Sequence, residues 1–282
     1  MKNFVIINMC GCISSTTKKQ PKVTVRRRDP STGSIKTIDL EPSTVTEIQS
    51  GPNRKLVHAY LEYEKHRMHR RIKNLYECVV SEEELNQESI SLNFIHLHSK
   101  TVKQLKRILG LFQNTKKLLM WKTKTGPDEI LALNNEIKQL KQLETLSLPN
   151  NDVQYQGGLY LGDILPYLPN LKELFLHDNH LGTDGFKFLS VGIKSLQALQ
   201  KITLDENLGK NKGSEYVLKA LGNCKDILYV GLGFNGITQE IGVCLRTFLK
   251  VATKLETLVL RGNPLPMDFV CNLKVKEELI EM

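Results

Sequence analysis

Two cysteines, Cys10 and Cys12, stand near the front of the chain with Lys18, Lys19, Lys22 and Arg26 to Arg28 behind them. Two acylation candidates backed by cations meet the two-signal requirement for stable lipid anchoring. The first 28 residues carry seven basic and no acidic side chains. A mitochondrial transit peptide or a flexible basic tail has the same composition, so three readings of this stretch stay open. Gly11 does not follow the initiator methionine, which excludes N-myristoylation of the sequence as it stands. Elsewhere reactive groupings are sparse. His177, Asp178 and His180 cluster without a third ligand at metal spacing, and arginines that repel a cation flank His66 and His69. Gly231 and Gly233 of VGLG read as permissive backbone in a strand rather than a nucleotide site. With no nucleophile–base pair or phosphate loop, the sequence predicts a protein that is no enzyme and takes no cofactor or metal.

The remaining chemistry is recognition, and a repeat has to position it. Asn151, Asn179, Asn207, Asn235 and Asn263 follow one another at intervals of 28 residues. Each closes the same phrase: Leu143, Leu146 and Leu148 lead to Asn151, and Leu171, Leu174 and Leu176 lead to Asn179. Five in-phase copies of LxxLxLxxNxL mark a repeat architecture. Each period then supplies an apolar pair at helical spacing: Leu161/Leu165, Leu189/Ile193, Val217/Leu221 and Leu245/Leu249. Gly157, Gly185 and Gly213 recur where strand chemistry gives way to helix. A short strand and one amphipathic helix cannot bury their apolar faces alone, so successive units must stack into one core. The asparagine, placed where the chain leaves the strand, is expected to turn inward and bond backbone groups left unpaired by the bend.

This pattern, fullest in LGTDGFKFLSVGIKSLQALQKITLDEN over 181–207, resembles the leucine-rich-repeat family, specifically its ribonuclease-inhibitor-like class with 28-residue units. The resemblance implies an α/β fold, a right-handed solenoid or horseshoe with a concave parallel sheet and convex helices. A nuclear-transport GTPase-activating protein shares this repeat class, which makes GTPase activation an alternative function. The sequence lacks that family's acidic C-terminal segment and has a basic extension foreign to its pattern.

In each strand the residues between and beside the inward leucines face the concave side. They form rows: Thr145, Glu173, Lys201, Tyr229, Thr257; Ser147, Phe175, Thr203, Gly231, Val259; Pro149, His177, Asp205, Gly233, Arg261. Trp121, the sole tryptophan, projects onto the third row from a degenerate repeat. Strands about 4.8 Å apart make a wall on the order of 20 Å wide, room for a helix or peptide of another protein. The expected binding residues are Trp121, Glu173, Phe175, His177, Lys201, Asp205, Tyr229, Val259 and Arg261, aromatic anchors among polar neighbours.

Charge separates the chain into two parts. Residues 1–80 hold 15 Lys/Arg against 7 Asp/Glu, while 81–282 hold 24 against 23. The basic front end is therefore expected to make a second contact, with an acidic protein surface or an anionic membrane. It lacks the aromatic interleaving of a nucleic-acid site, and no nucleic acid is expected. Residues 1–55 read as a Ser/Thr/Pro-rich basic extension with a β ribbon around the turn DPSTGS, and 56–80 as an N-terminal capping helix. Degenerate repeats fill 81–142, the five regular ones 143–265, and a C-terminal cap with one last short helix 266–282. That makes seven strands. Six cysteines form no disulfide framework, and Cys244 reads as a small core residue of a helix. A reducing compartment follows: the cytoplasm, in a cytoskeletal or ciliary setting, with a peripheral-membrane or mitochondrial location as alternatives. No run approaches 18 apolar residues.

Overall fold

The computed structural model describes strands at 6–7, 23–28 and 35–40, Tyr60, and residues 66–81, 87–266, 268–269 and 279–281. It divides into two compact units, residues 1–68 and 69–282. In the first unit, β2 (Val23–Arg28) and β3 (Ile35–Leu40) form an antiparallel hairpin with Val23 opposite Leu40 and Arg28 opposite Ile35. The expected ribbon is therefore present. Sequence reasoning missed β1 (Ile6–Ile7), which pairs antiparallel with β2.

The second unit opens with α1 (Arg70–Ser81). The helix expected over 56–80 is interrupted: Tyr60 is helical, but a turn and bend occupy 66–68 before α1 begins. Ile72, Leu75, Tyr76 and Val79 are buried, and the Tyr76 hydroxyl donates to the Gln104 carbonyl at 2.7 Å. That packing covers the first coil. Seven strands then follow in chain order: β4 (Ser89–Ser91), β5 (Lys117–Leu119), β6 (Thr145–Ser147), β7 (Glu173–Phe175), β8 (Lys201–Thr203), β9 (Tyr229–Gly231) and β10 (Thr257–Val259). All pair parallel, with partners 28 residues apart, as in Leu146, Leu174, Ile202 and Val230. An eighth strand, β11 (Ile280–Glu281), pairs parallel with β10. It stands where a closing helix was expected to bury Ile280, and does so as a strand. Leu273 lies outside the described residues.

Helices line the other side: α2 (Ser99–Lys106), α3 (Pro127–Lys138), α4 (Gln154–Ile164), α5 (Gly182–Ile193), α6 (Lys210–Leu221) and α7 (Gly242–Val251). Their i, i+4 pairs are buried except in α7, where Phe248 replaces Leu249 inside after a 3-10 turn at Gln239–Ile241. Gly157, Gly185 and Gly213 lie in the first turns of helices, where strand chemistry was expected to give way to helix, and packing explains the glycines around them. A Cβ on Gly185 would come within 3.2 Å of the Tyr155 Cα, and one on Gly158 within 2.9 Å of the Gly185 Cα. Gly162 and Gly192 extend this seam, each facing a backbone oxygen of the other helix at 2.5 Å from an added Cβ. Cys244 is half-buried, not core; among the described cysteines the buried one is Cys224, whose thiol loss of water pushes up to about 11.

The asparagines do what the spacing suggested. Asn207 Nδ2 donates to the carbonyls of Leu176, Leu204 and Asp205 at 2.8, 3.1 and 2.9 Å. Its Oδ1 accepts the Asn179 and Leu181 amides, both at 3.2 Å. Asn235 repeats the pattern on Asn207 and Gly209. Thr123, at the asparagine phase of a degenerate coil, bonds Met120 O at 3.1 Å and Thr125 Oγ1 at 2.6 Å. One rung differs. The Asn151 amide goes to the Asp178 carbonyl and the Asp152 amide back to Thr125, leaving the buried Asn179 Oδ1 without a hydrogen-bond partner.

Two outcomes follow for stability. Asn207→Ala orphans two amides and three carbonyl contacts, at about 1–3 kcal/mol per buried group left unpaired. Chemical denaturation is expected to show a loss of roughly 3 kcal/mol or more, and a smaller loss for Asn263→Ala, which is only half-buried. Gly162→Ala forces a methyl against the Phe188 carbonyl and is expected to cost about 1–3 kcal/mol; an unchanged melting temperature would show that the helices separate freely.

Candidate functional site

The one-direction sheet sets neighbouring coils in register, so residues of equal phase stand side by side. Thr145, Glu173, Lys201, Tyr229 and Thr257 are successive pairing partners, as are Ser147, Phe175, Thr203, Gly231 and Val259. Across three adjacent strands, Lys201 Nζ lies 5.5 Å from the Phe175 ring centre and 4.5 Å from that of Tyr229. A cation between two aromatic faces contributes about 0.5–1 kcal/mol per contact at an exposed site and holds both rings in place. Beside this ridge Thr145 Oγ1 donates to Glu173 Oε2 at 2.8 Å, and His177 Nδ1 lies 3.1 Å from Thr203 Oγ1. Phe175, Lys201, Tyr229, Glu173, His177 and Asp205 are all half-buried.

The VGLG glycines have a purpose the sequence did not show. A Cβ on Gly231 would meet Asp205 Oδ2, and one on Gly233 would lie 2.9 Å from Asp205 Oδ1. The carboxylate fills the space both missing side chains leave and accepts the Gly233 amide at 2.8 Å. Burial lifts the Asp205 carboxyl above its ordinary value, outweighing the Gly233 bond and the charges of His177 and Arg261. Burial raises the Tyr229 phenol first of all, with the charges of Asp205 and Glu281 adding to it.

Two expected site residues stand elsewhere. Val259 is only 2% exposed and offers no surface to a partner. Its strand is flanked by β11, and Arg261 bonds Glu281, the residue opposite Val259, at 3.1 Å. Trp121 is 38% exposed but belongs to a second cluster, packed on Phe94, which is 62% exposed; the ring centres are 4.8 Å apart. Sequence reasoning passed over Phe94 because it lies in an irregular first coil. Phe94 falls in a row with Lys122, Asn150, Asp178, Glu206, Phe234 and Gly262, all with φ between 51° and 69°. Each coil leaves the sheet through this left-handed residue, which costs a non-glycine roughly 1–2 kcal/mol. Cys10 and Cys12 lie outside the described residues.

Among the described residues no cluster of three or more His, Cys, Asp or Glu side chains could hold a metal. Among the same described residues, no helix is long and apolar enough to cross a membrane. A hollow of about 580 Å³ between Asp152, Tyr155, His180 and Asp184 opens on the loop side, away from the sheet rows.

The Asp205 geometry carries a pH signature. Its folded-state value exceeds the unfolded one, so the native state holds the proton more tightly. The stability so gained is full below the ordinary value of 3.8 and is lost as pH rises through the folded-state value. Asp205→Asn, which keeps an acceptor for Gly233, is expected to raise the melting temperature at pH 7 relative to the parent, with the advantage shrinking at lower pH. A penalty that grows towards pH 7 would show that His177 and Arg261 outweigh burial.

No family model matches the sequence, and no curated protein sequence matches it. Among solved structures, the chain is similar to actin-binding site 2 of leiomodin-1 (11% identity, 65% of this chain and 86% of that one, TM-score 0.42). It is also similar to the tropomodulin C-terminal domain of Caenorhabditis elegans (14%, 65% and 92%, 0.40). A third likeness is to a leucine-rich-repeat protein of Leptospira interrogans (21%, 73% and 56%, 0.45). The assignment itself rests on the chain's own period. With its 28-residue phase, parallel sheet, outer helices and asparagine ladder, the chain has the fold of a leucine-rich-repeat solenoid.

Proposed function

We propose that the chain is a non-enzymatic protein-binding module that holds a partner on the inner face of its sheet. The observation that carries this reading is the Phe175–Lys201–Tyr229 ridge. Two half-buried aromatic rings are fixed around a cation on a face the core does not use. Rings held in place before binding lose little freedom on contact, which is what gives a few residues most of an interface's energy. Glu173, His177, Asp205 and Arg261 surround the ridge with both signs of charge, a rim for orientation rather than affinity. The basic N-terminal unit, whose β2 carries Arg26, Arg27 and Arg28, supplies a second, salt-sensitive contact to an acidic surface in this reading. GTPase activation is the alternative reading, with a partner on the same face, whose rim groups are oriented by the bonds of Thr145 to Glu173, His177 to Thr203, and the Gly233 amide to Asp205.

The test is capture from native extract by the full chain. Phe175→Ala combined with Tyr229→Ala is expected to reduce partner recovery at least about tenfold, a loss of roughly 1.4 kcal/mol or more, with the melting temperature nearly unchanged. Equal recovery would move the binding surface off the sheet. GTP hydrolysis by small GTPases, measured with and without the chain, is expected to be unaltered.

A further inference from the structure

We propose a second docking site at the N-terminal end of the solenoid, formed by Phe94 and Trp121, for an acidic peptide segment with a bulky apolar side chain at its centre. It rests on the reading of the chain as a protein-binding module but uses none of the ridge residues. The two rings are exposed and stacked at a tilt of 54°, outside the buried core. Their position is fixed by hydrogen bonds. Trp121 Nε1 donates to Asn150 Oδ1 at 2.7 Å, Asn150 Nδ2 in turn donates to Asp178 Oδ2, and the Trp121 amide donates to Asn93 Oδ1 at 2.8 Å. A large aromatic surface that is already oriented loses little entropy when a side chain lies against it.

Charge decides which partner. Lys122 Nζ stands 5.4 Å from the Trp121 ring centre, and Lys117 and Lys124 are exposed on the same coil. Arg71 reaches over from α1 to the Asn93 carbonyl at 2.8 Å, one residue before Phe94. Of the described acids on these coils, Glu88 pairs with Lys116 at 2.7 Å, and Asp178 accepts a hydrogen bond from Asn150. An apolar pair with Lys122 over one ring, Arg71 beside the other and two more exposed lysines on the same coil fits a hydrophobic side chain flanked by Asp and Glu, and repels a second basic surface. The backbone adds a means of testing this. Phe94 occupies the left-handed row, where glycine is the residue with least strain. Removing its ring as Phe94→Gly therefore eases the chain while deleting half the site.

The chain has one tryptophan, so its emission reports on this site directly. A synthetic peptide with one Phe amid Asp and Glu is titrated into the full chain, against a counterpart with Lys and Arg in place of the acids. The acidic peptide is expected to give a saturable blue shift whose affinity weakens about tenfold or more between about 0.05 M and 0.5 M salt. The basic peptide is expected to leave the emission unchanged. Phe94→Gly is expected to melt no lower than the parent yet bind at least about fivefold more weakly. Lys122→Glu with Lys124→Glu is expected to abolish the salt-dependent part. Equal shifts with both peptides, or undiminished affinity in Phe94→Gly, would overturn the proposal. So would an emission change that follows protein concentration without peptide, which would assign the surface to a second copy of the chain. Phe175→Ala with Tyr229→Ala is expected to bind the peptide normally, which separates failure of this site from failure of the ridge.

Discussion

A buried amide that must be bonded on both of its ends holds this architecture together. Stacking leucines favours any collapse that hides them, but it does not say where one coil stops and the next begins. Asn207 does, because its side chain joins carbonyls of its own and the preceding coil to amides of the preceding coil. A slip of one residue would leave those groups unpaired in a dry interior, at about 1–3 kcal/mol each. Register in the sheet is then inherited from the ladder. So is the side-by-side placement of Glu173, Lys201 and Tyr229 on the inner face.

The interior was legible in the sequence because burial is periodic and the period was intact over five coils. Leu146, Leu174, Ile202, Val230 and Leu258 were marked by phase alone, and all are fully buried. The inner rows were legible for the same reason. What could not be read was anything set by a residue out of phase. Val259 belongs to a surface row by register, yet β11 and the Arg261–Glu281 pair stand at its side, and neither follows the repeat. Cys244 shares a phase with Tyr160, Phe188 and Tyr216, and that phase proves half-buried in all four. The glycine seam between α4 and α5 was equally hidden, because a missing side chain announces flexibility and close contact in the same letter.

Two parts of the sheet side thus have different origins. The ridge of Phe175, Lys201 and Tyr229 lies on strands, where the pleat alone points side chains outward. Phe94 of the second cluster lies where the chain is leaving the sheet, in a backbone conformation better suited to Asn150, Asp178 or Gly262 of the same row. A ring at such a position works against local preference, whereas the ridge agrees with it. On the Tyr229 coil sit two glycines whose absent side chains admit a carboxylate, so that even the polar inset of the wall depends on the spacing of neighbouring coils.

The constant offset of these bonds reaches beyond a single molecule. The ladder links residues 26, 28 and 31 positions apart at Asn151, Asn207, Asn235 and Asn263, and keeps only the last of these at Asn179. A coding segment of one period, copied or deleted in frame between two regular coils, would therefore leave every remaining junction chemically as it was. Descendants of such a chain could lengthen or shorten their wall in whole steps, trading reach for compactness, while insertions of any other size would be punished at once.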